Sequence, residues 1–144
     1  EGGLRRRPDG RRGVSTNRFP LALLEGRFSV VRLDAADAVP AGALDPGRAF
    51  AAVVPTEDEL SLVCREEDVP AGAGGVEPGF RAFKLLGPVP FTTIGVVSGM
   101  TGPLAQAGIS VFVVSTYDTD YLLVKEAHLQ RAIGLLQRAG FATV

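Results

Sequence analysis

The sequence predicts an α+β fold, with an antiparallel sheet and helices on one of its faces. Segments whose apolar residues alternate recur along residues 19–144, and alternation is the pattern of half-buried strands. Two longer segments repeat apolar residues every three or four positions, which is the pattern of amphipathic helices. In the second half of the chain these elements follow the order β-α-β-β-α-β, the ferredoxin-like arrangement.

Composition narrows the possible functions. The 144 residues carry a formal net charge of −1, which gives no general argument for a nucleic-acid partner. One Cys and one His exclude an internal disulfide, a thiolate metal cluster and any site that needs two imidazoles. No apolar run is long enough for a membrane helix and no secretory signal is recognisable, so we expect a cytoplasmic protein without membrane contact.

The first 18 residues differ in composition from the rest. They hold six arginines against Glu1 and Asp9, and Leu4 and Val14 are their sizeable apolar residues. Such a segment cannot offset the entropy cost of ordering, so we expect a disordered basic tail at 1–18. A nucleic-acid arm is the alternative; an extension without that role is favoured, because no aromatic residue is interleaved for base stacking.

The first half of the ordered chain is predicted to begin with a hairpin. Segments 21–24 and 28–33 alternate, and Glu25-Gly26 between them is a turn signal. Residues 34–47 are rich in Ala, Pro and Gly, which predicts a loop or one helical turn. The other elements expected here are a strand at 50–54, a turn at 55–58, a strand at 60–65, and a short acidic helix that runs into a linker at 66–75.

The second half shows clearer patterns. Apolar residues at helical spacing predict a helix at 93–107, ended by Gly108, and a second at 126–139, ended by Gly140. The strands expected here are 80–86, 109–115, 120–125 and 141–144. A boundary near residue 76 would divide the chain into a first unit at 19–76, with a shortened first helix, and a second unit at 77–144.

Residues able to perform catalysis are scarce. His128 falls in the first turn of a predicted helix and off its apolar stripe, so a surface position is expected. Cys64 lies on the inward face of a strand, which favours core packing over a nucleophilic role. The acidic run at 66–68 could bind Mg²⁺, but a solvated loop is the preferred interpretation. We therefore expect no enzyme activity, no metal and no cofactor.

A glycine-rich run precedes the first helix of the second half. Residues 95–102 lack the lysine ending of a Walker loop and the spacing of a dinucleotide-binding loop. Glycines still allow a ligand to approach the backbone, and a helix start presents unpaired N–H groups that suit a carboxylate. An irregular helix without a ligand is the alternative.

Hydroxyls and carboxylates cluster where two predicted strands meet, at residues 115–120. By themselves they are typical of a polar turn. Ammonium groups pair with carboxylates, so Asp118, and Asp120 as second choice, could hold an amine beside the anion-binding helix start. A zwitterionic α-amino acid matches both polarities.

The chain resembles a known family at these positions. The segments Ala-Gly-Ile-Ser-Val-Phe at 107–112 and Ser-Thr-Tyr-Asp-Thr-Asp-Tyr-Leu-Leu-Val at 115–124 resemble the ACT domains of aspartate kinases and CASTOR-type arginine sensors. The segment Thr-Glu-Asp-Glu-Leu-Ser-Leu-Val-Cys at 56–64 resembles the first half of small bacterial two-ACT proteins. The resemblance implies tandem ferredoxin-like units without catalytic activity.

The resemblance also implies an effector site at an interface between ACT units. Backbone contacts would come from the loop that enters the first helix, and side-chain contacts from the strand end nearby. The residues implied are Thr93, Ile94, Gly95, Val96, Val97, Ser98, Ser115, Thr116 and Asp118. We expect a homodimeric regulatory protein that binds a small amino acid. The alternative is an interaction module with a degenerate site, whose strand at 80–86 would pair as a sheet edge with another chain.

Overall fold

The computed structural model describes residues 19–45 and 47–144, so the predicted tail at 1–18 lies outside the described residues. The described chain forms strands and two α-helices. These are β1 (Leu21–Leu23), β2 (Phe28–Leu33), β3 (Ala52–Pro55), β4 (Leu60–Arg65), β5 (Gly75–Leu85), α1 (Val96–Gln106), β6 (Val111–Ser115), β7 (Asp120–Lys125) and α2 (Leu129–Arg138). Short 3-10 turns at Glu66–Asp68 and Glu126–His128 follow β4 and β7.

The strands form one seven-stranded sheet. Its hydrogen-bonded order is β3-β4-β2-β5-β7-β6, and β1 pairs with β5 off this path. Every pairing between these strands is antiparallel. The predicted α+β class with an antiparallel sheet is confirmed.

The predicted hairpin at the start of the chain is wrong. Both β1 and β2 run antiparallel to β5, with Leu21 opposite Leu85 and Phe28 opposite Phe80. Between the two strands, the Leu24 amide still donates to the Ala82 carbonyl at 2.8 Å. The chain therefore follows the same side of β5 through Glu25-Gly26 and does not reverse there.

Strand β5 lies at the centre of the sheet, so its interpretation as a free edge is also wrong. Its 11 residues pair with β1 and β2 on one side and with β7 on the other. Neither side of β5 is free, because β1 and β2 occupy one side and β7 occupies the other. The predicted unit boundary near residue 76 falls inside this strand, and the division into two units stays a prediction.

The two halves share local geometry. Thr56 follows β3 in the first half, and Thr116 follows β6 in the second. The hydroxyl of each threonine donates to the carbonyl and accepts from the amide of the residue three positions later, Glu59 and Thr119 respectively. A basic side chain lies over an aromatic ring in each half as well. These pairs are Arg65 over Phe28, 6.0 Å from the ring centroid, and Lys125 over Phe80, 4.4 Å from the centroid.

Both helices pack on one face of the sheet. Their shared core joins buried residues of β5, β7, α1 and α2: Phe83, Leu85, Leu122, Val124, Val96, Met100, Leu104, Leu129, Ala132 and Leu136. The opposite face packs the first half against the second, where the ring of Phe50 stacks on Tyr121 with centroids 4.2 Å apart. Because apolar side chains are buried on both of its faces, the single sheet forms the core of the described chain.

Several predicted elements are shorter in the structure than expected, among them a helix and the last strand. The helix predicted at 93–107 begins at Val96, and the strand predicted at 141–144 forms only an isolated parallel bridge between Thr143 and Leu21. Backbone hydrogen bonds still tie the end of the chain to β1, including Val144 amide to Leu21 carbonyl at 2.8 Å. Within the described residues, no helix has the length and apolar character needed to cross a membrane.

Cys64 is a core residue, as predicted. Its side chain is buried beside Val31 and Leu62. Burial, with smaller contributions from the charges of Asp68 and Glu67, raises the pKa of this thiol to about 11. The group is therefore protonated at neutral pH and poorly suited to nucleophilic chemistry.

Candidate functional site

A cavity of about 570 Å³ lies between the start of α1 and the turn that joins β6 to β7. This volume falls within the roughly 300–1,000 Å³ that small-molecule sites occupy. Its walls are Val89, Pro90, Phe91, Thr93, Gly95, Val96, Val97, Ser98, Thr101, Ser115, Thr116, Tyr117, Thr119 and Asp120.

The first wall is the start of α1. Gly95 precedes the helix with φ +87°, a left-handed conformation that favours glycine, and no side chain caps the helix there. The first-turn amides of Val96, Val97 and Ser98 therefore have no intrahelical or side-chain acceptor. Together with the helix dipole, they give this wall a partial positive charge that suits a carboxylate.

The facing wall is the end of the β6–β7 pair. Ser115 and Asp120 are opposite each other in the ladder, and the Ser115 hydroxyl donates to Oδ1 of Asp120 at 2.5 Å. Asp120 is half-buried, and within residues 19–45 and 47–144 no cationic group pairs with it. A carboxylate in this position can receive the ammonium group of a ligand.

Hydrogen bonds hold the turn between these strands. The Thr116 amide donates to the Thr119 carbonyl at 2.8 Å, and the Thr116 hydroxyl donates to the same carbonyl at 3.2 Å. The Thr119 side chain is buried and its hydroxyl donates to the Leu85 carbonyl of β5. The turn is thereby fixed against the central strand, which also fixes Asp120.

The loop between β5 and α1 is attached to the same turn. The Val89 amide donates to the Asp118 carbonyl at 2.7 Å. Gly87 lies close by, and a Cβ there would stand 2.5 Å from the Val89 nitrogen and 3.2 Å from the Asp118 oxygen. A larger residue at this position would push the loop away from the turn, so Gly87 helps to shape the cavity.

The structure brings together eight of the ten residues expected at the site: Thr93, Gly95, Val96, Val97, Ser98, Ser115, Thr116 and Asp120. Ile94 is not among the lining residues of the cavity and is 79% exposed. Asp118, the first choice for the ammonium partner, instead lines a separate depression with Lys84 and Pro88. Asp120 is the acidic residue that lines the cavity.

Six lining residues were not among the ten expected at the site: Val89, Pro90, Phe91, Thr101, Tyr117 and Thr119. The last three lie within the glycine-rich run and the polar cluster that the sequence indicated. The rings of Phe91 and Tyr117 contact each other edge to face, with centroids 4.9 Å apart. A Pro-Val-Pro-Phe run before a helix was the available signal, but only the fold shows that it contacts the turn after β6.

Other residues that the sequence offered as candidates are not among the lining residues of the cavity. Each carboxylate of the acidic run Glu66–Asp68 lies within 4 Å of an arginine. His128 lies at the end of a 3-10 turn, directly before α2. It is half-buried, so it is less exposed than the surface position that was expected.

The corresponding place in the first half differs in chemistry. There the ladder positions that match Ser115 and Asp120 are Pro55 and Leu60. Leu60 is buried, and the segment between β2 and β3 contains turns instead of an α-helix in its described part. Neither the carboxylate nor the helix start recurs there.

Comparison with known proteins agrees with this architecture. A family model described as ACT domain matches residues 75–138, and a second model, described as an N-terminal domain, matches residues 26–72. The human cytosolic arginine sensor for mTORC1 subunit 1 is 41% identical over 51 residues, which are 35% of this chain and 16% of that protein. The chain thus spans about a sixth of the curated relative's length.

Solved structures extend the similarity over most of the chain. A protein from Agobacterium tumefaciens is 39% identical with a TM-score of 0.79, over 88% of this chain and 92% of that one. The regulatory subunit of aspartate kinase from Thermus flavus is 11% identical with a TM-score of 0.57, over 83% of this chain and 96% of that one. The second likeness concerns the fold alone. The ACT-domain family model therefore identifies residues 75–138 as an ACT domain, and the similarity to the Agobacterium protein extends over most of the chain.

Proposed function

We propose that this protein is a regulatory protein that binds a free amino acid in the cavity between α1 and the β6–β7 turn. The observation that carries the proposal is Asp120, a half-buried carboxylate with no cationic partner in the described chain, facing an uncapped helix start across one cavity. The ACT-domain model and the regulatory aspartate kinase subunit with the same fold support amino-acid-dependent regulation.

The two walls match the two charged groups of an amino acid. The ligand carboxylate would accept hydrogen bonds from the amides of Val96, Val97 and Ser98. The ligand ammonium would donate to Asp120, whose Oδ1 is already held by Ser115. Since the turn and the helix start are fixed before binding, little ordering would be needed.

We propose one such site per chain. The first half lacks the carboxylate and the helix start, because Pro55 and Leu60 occupy the matching ladder positions. Titration should therefore give a stoichiometry near one ligand per chain.

Thermal unfolding in the presence of each of the twenty amino acids tests the proposal. A ligand at 100 times its Kd stabilises the folded state by about 2.7 kcal/mol. For a domain of this size we expect the Tm to rise on the order of 8 °C for at least one amino acid. The N-acetyl methyl ester of that amino acid lacks both charges and should give no rise. No stabilisation by any amino acid at millimolar concentration would refute the proposal and favour an interaction module with a degenerate site.

We also propose that a second copy of the chain covers the cavity. The lining residues Phe91 and Tyr117 are 75% and 81% exposed, and Ile94, which lies between the lining residues Thr93 and Gly95 in the chain, is 79% exposed. Exposed apolar side chains that lie close together mark interaction sites. Such a cover would let the ligand stabilise the dimer by mass action.

Analytical ultracentrifugation tests the dimer. Ile94→Asp should weaken self-association at least about tenfold, because it places a charge in the interface. Leu44→Asp, at an exposed apolar position in the loop after β2, is the matched control and should leave it unchanged. Equal dimerisation of both variants, or a monomeric parent protein, would contradict this arrangement.

The proposed role is regulatory and not catalytic. The curated relatives that match the chain are named cytosolic sensors, and on that basis we propose a cytoplasmic location.

A further inference from the structure

The cavity contains a single charged side chain. Among its 14 lining residues, Asp120 is the one acidic residue, and the others are apolar, hydroxyl-bearing or glycine. The proposed ammonium contact uses that charge, and the proposed carboxylate contact uses the α1 amides. No described lining residue remains to neutralise a third charge on the ligand.

Most of the hydroxyl groups in the walls already donate hydrogen bonds within the protein. Five of them donate to acceptors within the protein: Ser98 to Gly95, Thr101 to Val97, Ser115 to Asp120, Thr116 to Thr119, and Thr119 to Leu85. A polar ligand side chain would find few free donors here. Burying a polar group without a partner is unfavourable, and burying an unpaired charge is more so.

The rest of the lining is apolar. Val89, Phe91, Val97 and Tyr117 offer aliphatic and aromatic surface, and the Phe91 and Tyr117 rings already contact each other. An apolar ligand side chain placed against them would remove apolar surface from water on both partners.

Resting on the proposed function, we propose that the effector is an amino acid with a neutral, apolar side chain, aliphatic or aromatic. Arginine, lysine, aspartate and glutamate are excluded because the walls hold no partner for their side-chain charge. This selectivity differs from that in the name of the curated relatives, which are arginine sensors.

Isothermal titration of the full chain with leucine, valine, phenylalanine, arginine, lysine and aspartate measures the selectivity. We expect at least one of the first three to bind tenfold or more tightly than each of the charged three. Tighter or equal binding of a charged amino acid would overturn the inference and leave the proposed function standing. If none of the six binds, the inference fails, and if none of the twenty amino acids raises the Tm, the proposed function fails as well.

A substitution that adds a second carboxylate to the cavity tests whether the lack of a charged partner causes the selectivity. Phe91 is 75% exposed, so Phe91→Asp should fold normally. It should raise the ratio of arginine affinity to leucine affinity at least tenfold, because the arginine side chain would gain a partner. The matched control Leu44→Asp adds the same charge to the chain away from the cavity and should leave the ratio unchanged. An unchanged ratio in Phe91→Asp, or an equal rise in the control, would show that side-chain charge is not what the cavity discriminates.

Discussion

Asp120→Asn is expected to weaken binding of the amino acid by about 30- to 100-fold, equivalent to about 2–3 kcal/mol. The amide keeps the size of the carboxylate and can still accept from the Ser115 hydroxyl, so the fold should be retained. What is lost is the charge that faces the ligand ammonium in a half-buried position. Calorimetric titration of the parent and variant proteins measures the change in Kd.

Asp118→Asn is the matched control. It removes the same charge two residues away, in the same turn, from a side chain that lies outside the cavity. Long-range attraction between exposed charges is screened by salt, so its Kd should stay within about threefold of the parent value. If Asp118→Asn weakens binding more than Asp120→Asn does, the ammonium group is held at the other depression and the proposed pose is wrong.

Those two carboxylates show where sequence reasoning about the site stops. The cluster at 115–120 could be recognised from residue types, because hydroxyls and acids meet at a strand junction. The choice between Asp118 and Asp120 could not, because it depends on which ladder position faces α1. Asp120 is paired with Ser115 in the ladder, whereas Asp118 is at the tip of the turn, where its carbonyl accepts from Val89. Phe91 was missed for a related reason, since its contact with Tyr117 joins two separate loops.

For the fold as well, local patterns could be predicted from the sequence and long-range pairing could not. Alternation predicted β4 and β7 with the bounds that the structure has, and helical spacing predicted α2 to within a short 3-10 turn. The reversal predicted at Glu25-Gly26 failed because the chain continues along β5 there. Local turn signals are similar for a bend and a reversal, and pairing with a strand some fifty residues away decided between them.

Phe28→Ala is expected to destabilise the whole described chain by about 3–5 kcal/mol, a large share of the roughly 5–15 kcal/mol typical of a domain. Phe28 is fully buried at the start of β2, next to the place where this strand and β7 flank β5. Its ring lies 5.8 Å from that of Phe50, which in turn stacks on Tyr121 of the second half. Loss of the ring therefore leaves a cavity where the two halves meet.

Urea unfolding followed by circular dichroism distinguishes a single cooperative sheet from two independent units. Because β5 belongs to both halves, Phe28→Ala should lower the midpoint of one transition that includes α1 and α2. Phe91→Ala is the matched control: its ring is 75% exposed, and its loss should cost less than about 1.5 kcal/mol. Two separate transitions in the variant, with the helical signal at its parental midpoint, would show that the halves unfold independently and that burial at Phe28 stabilises only the first.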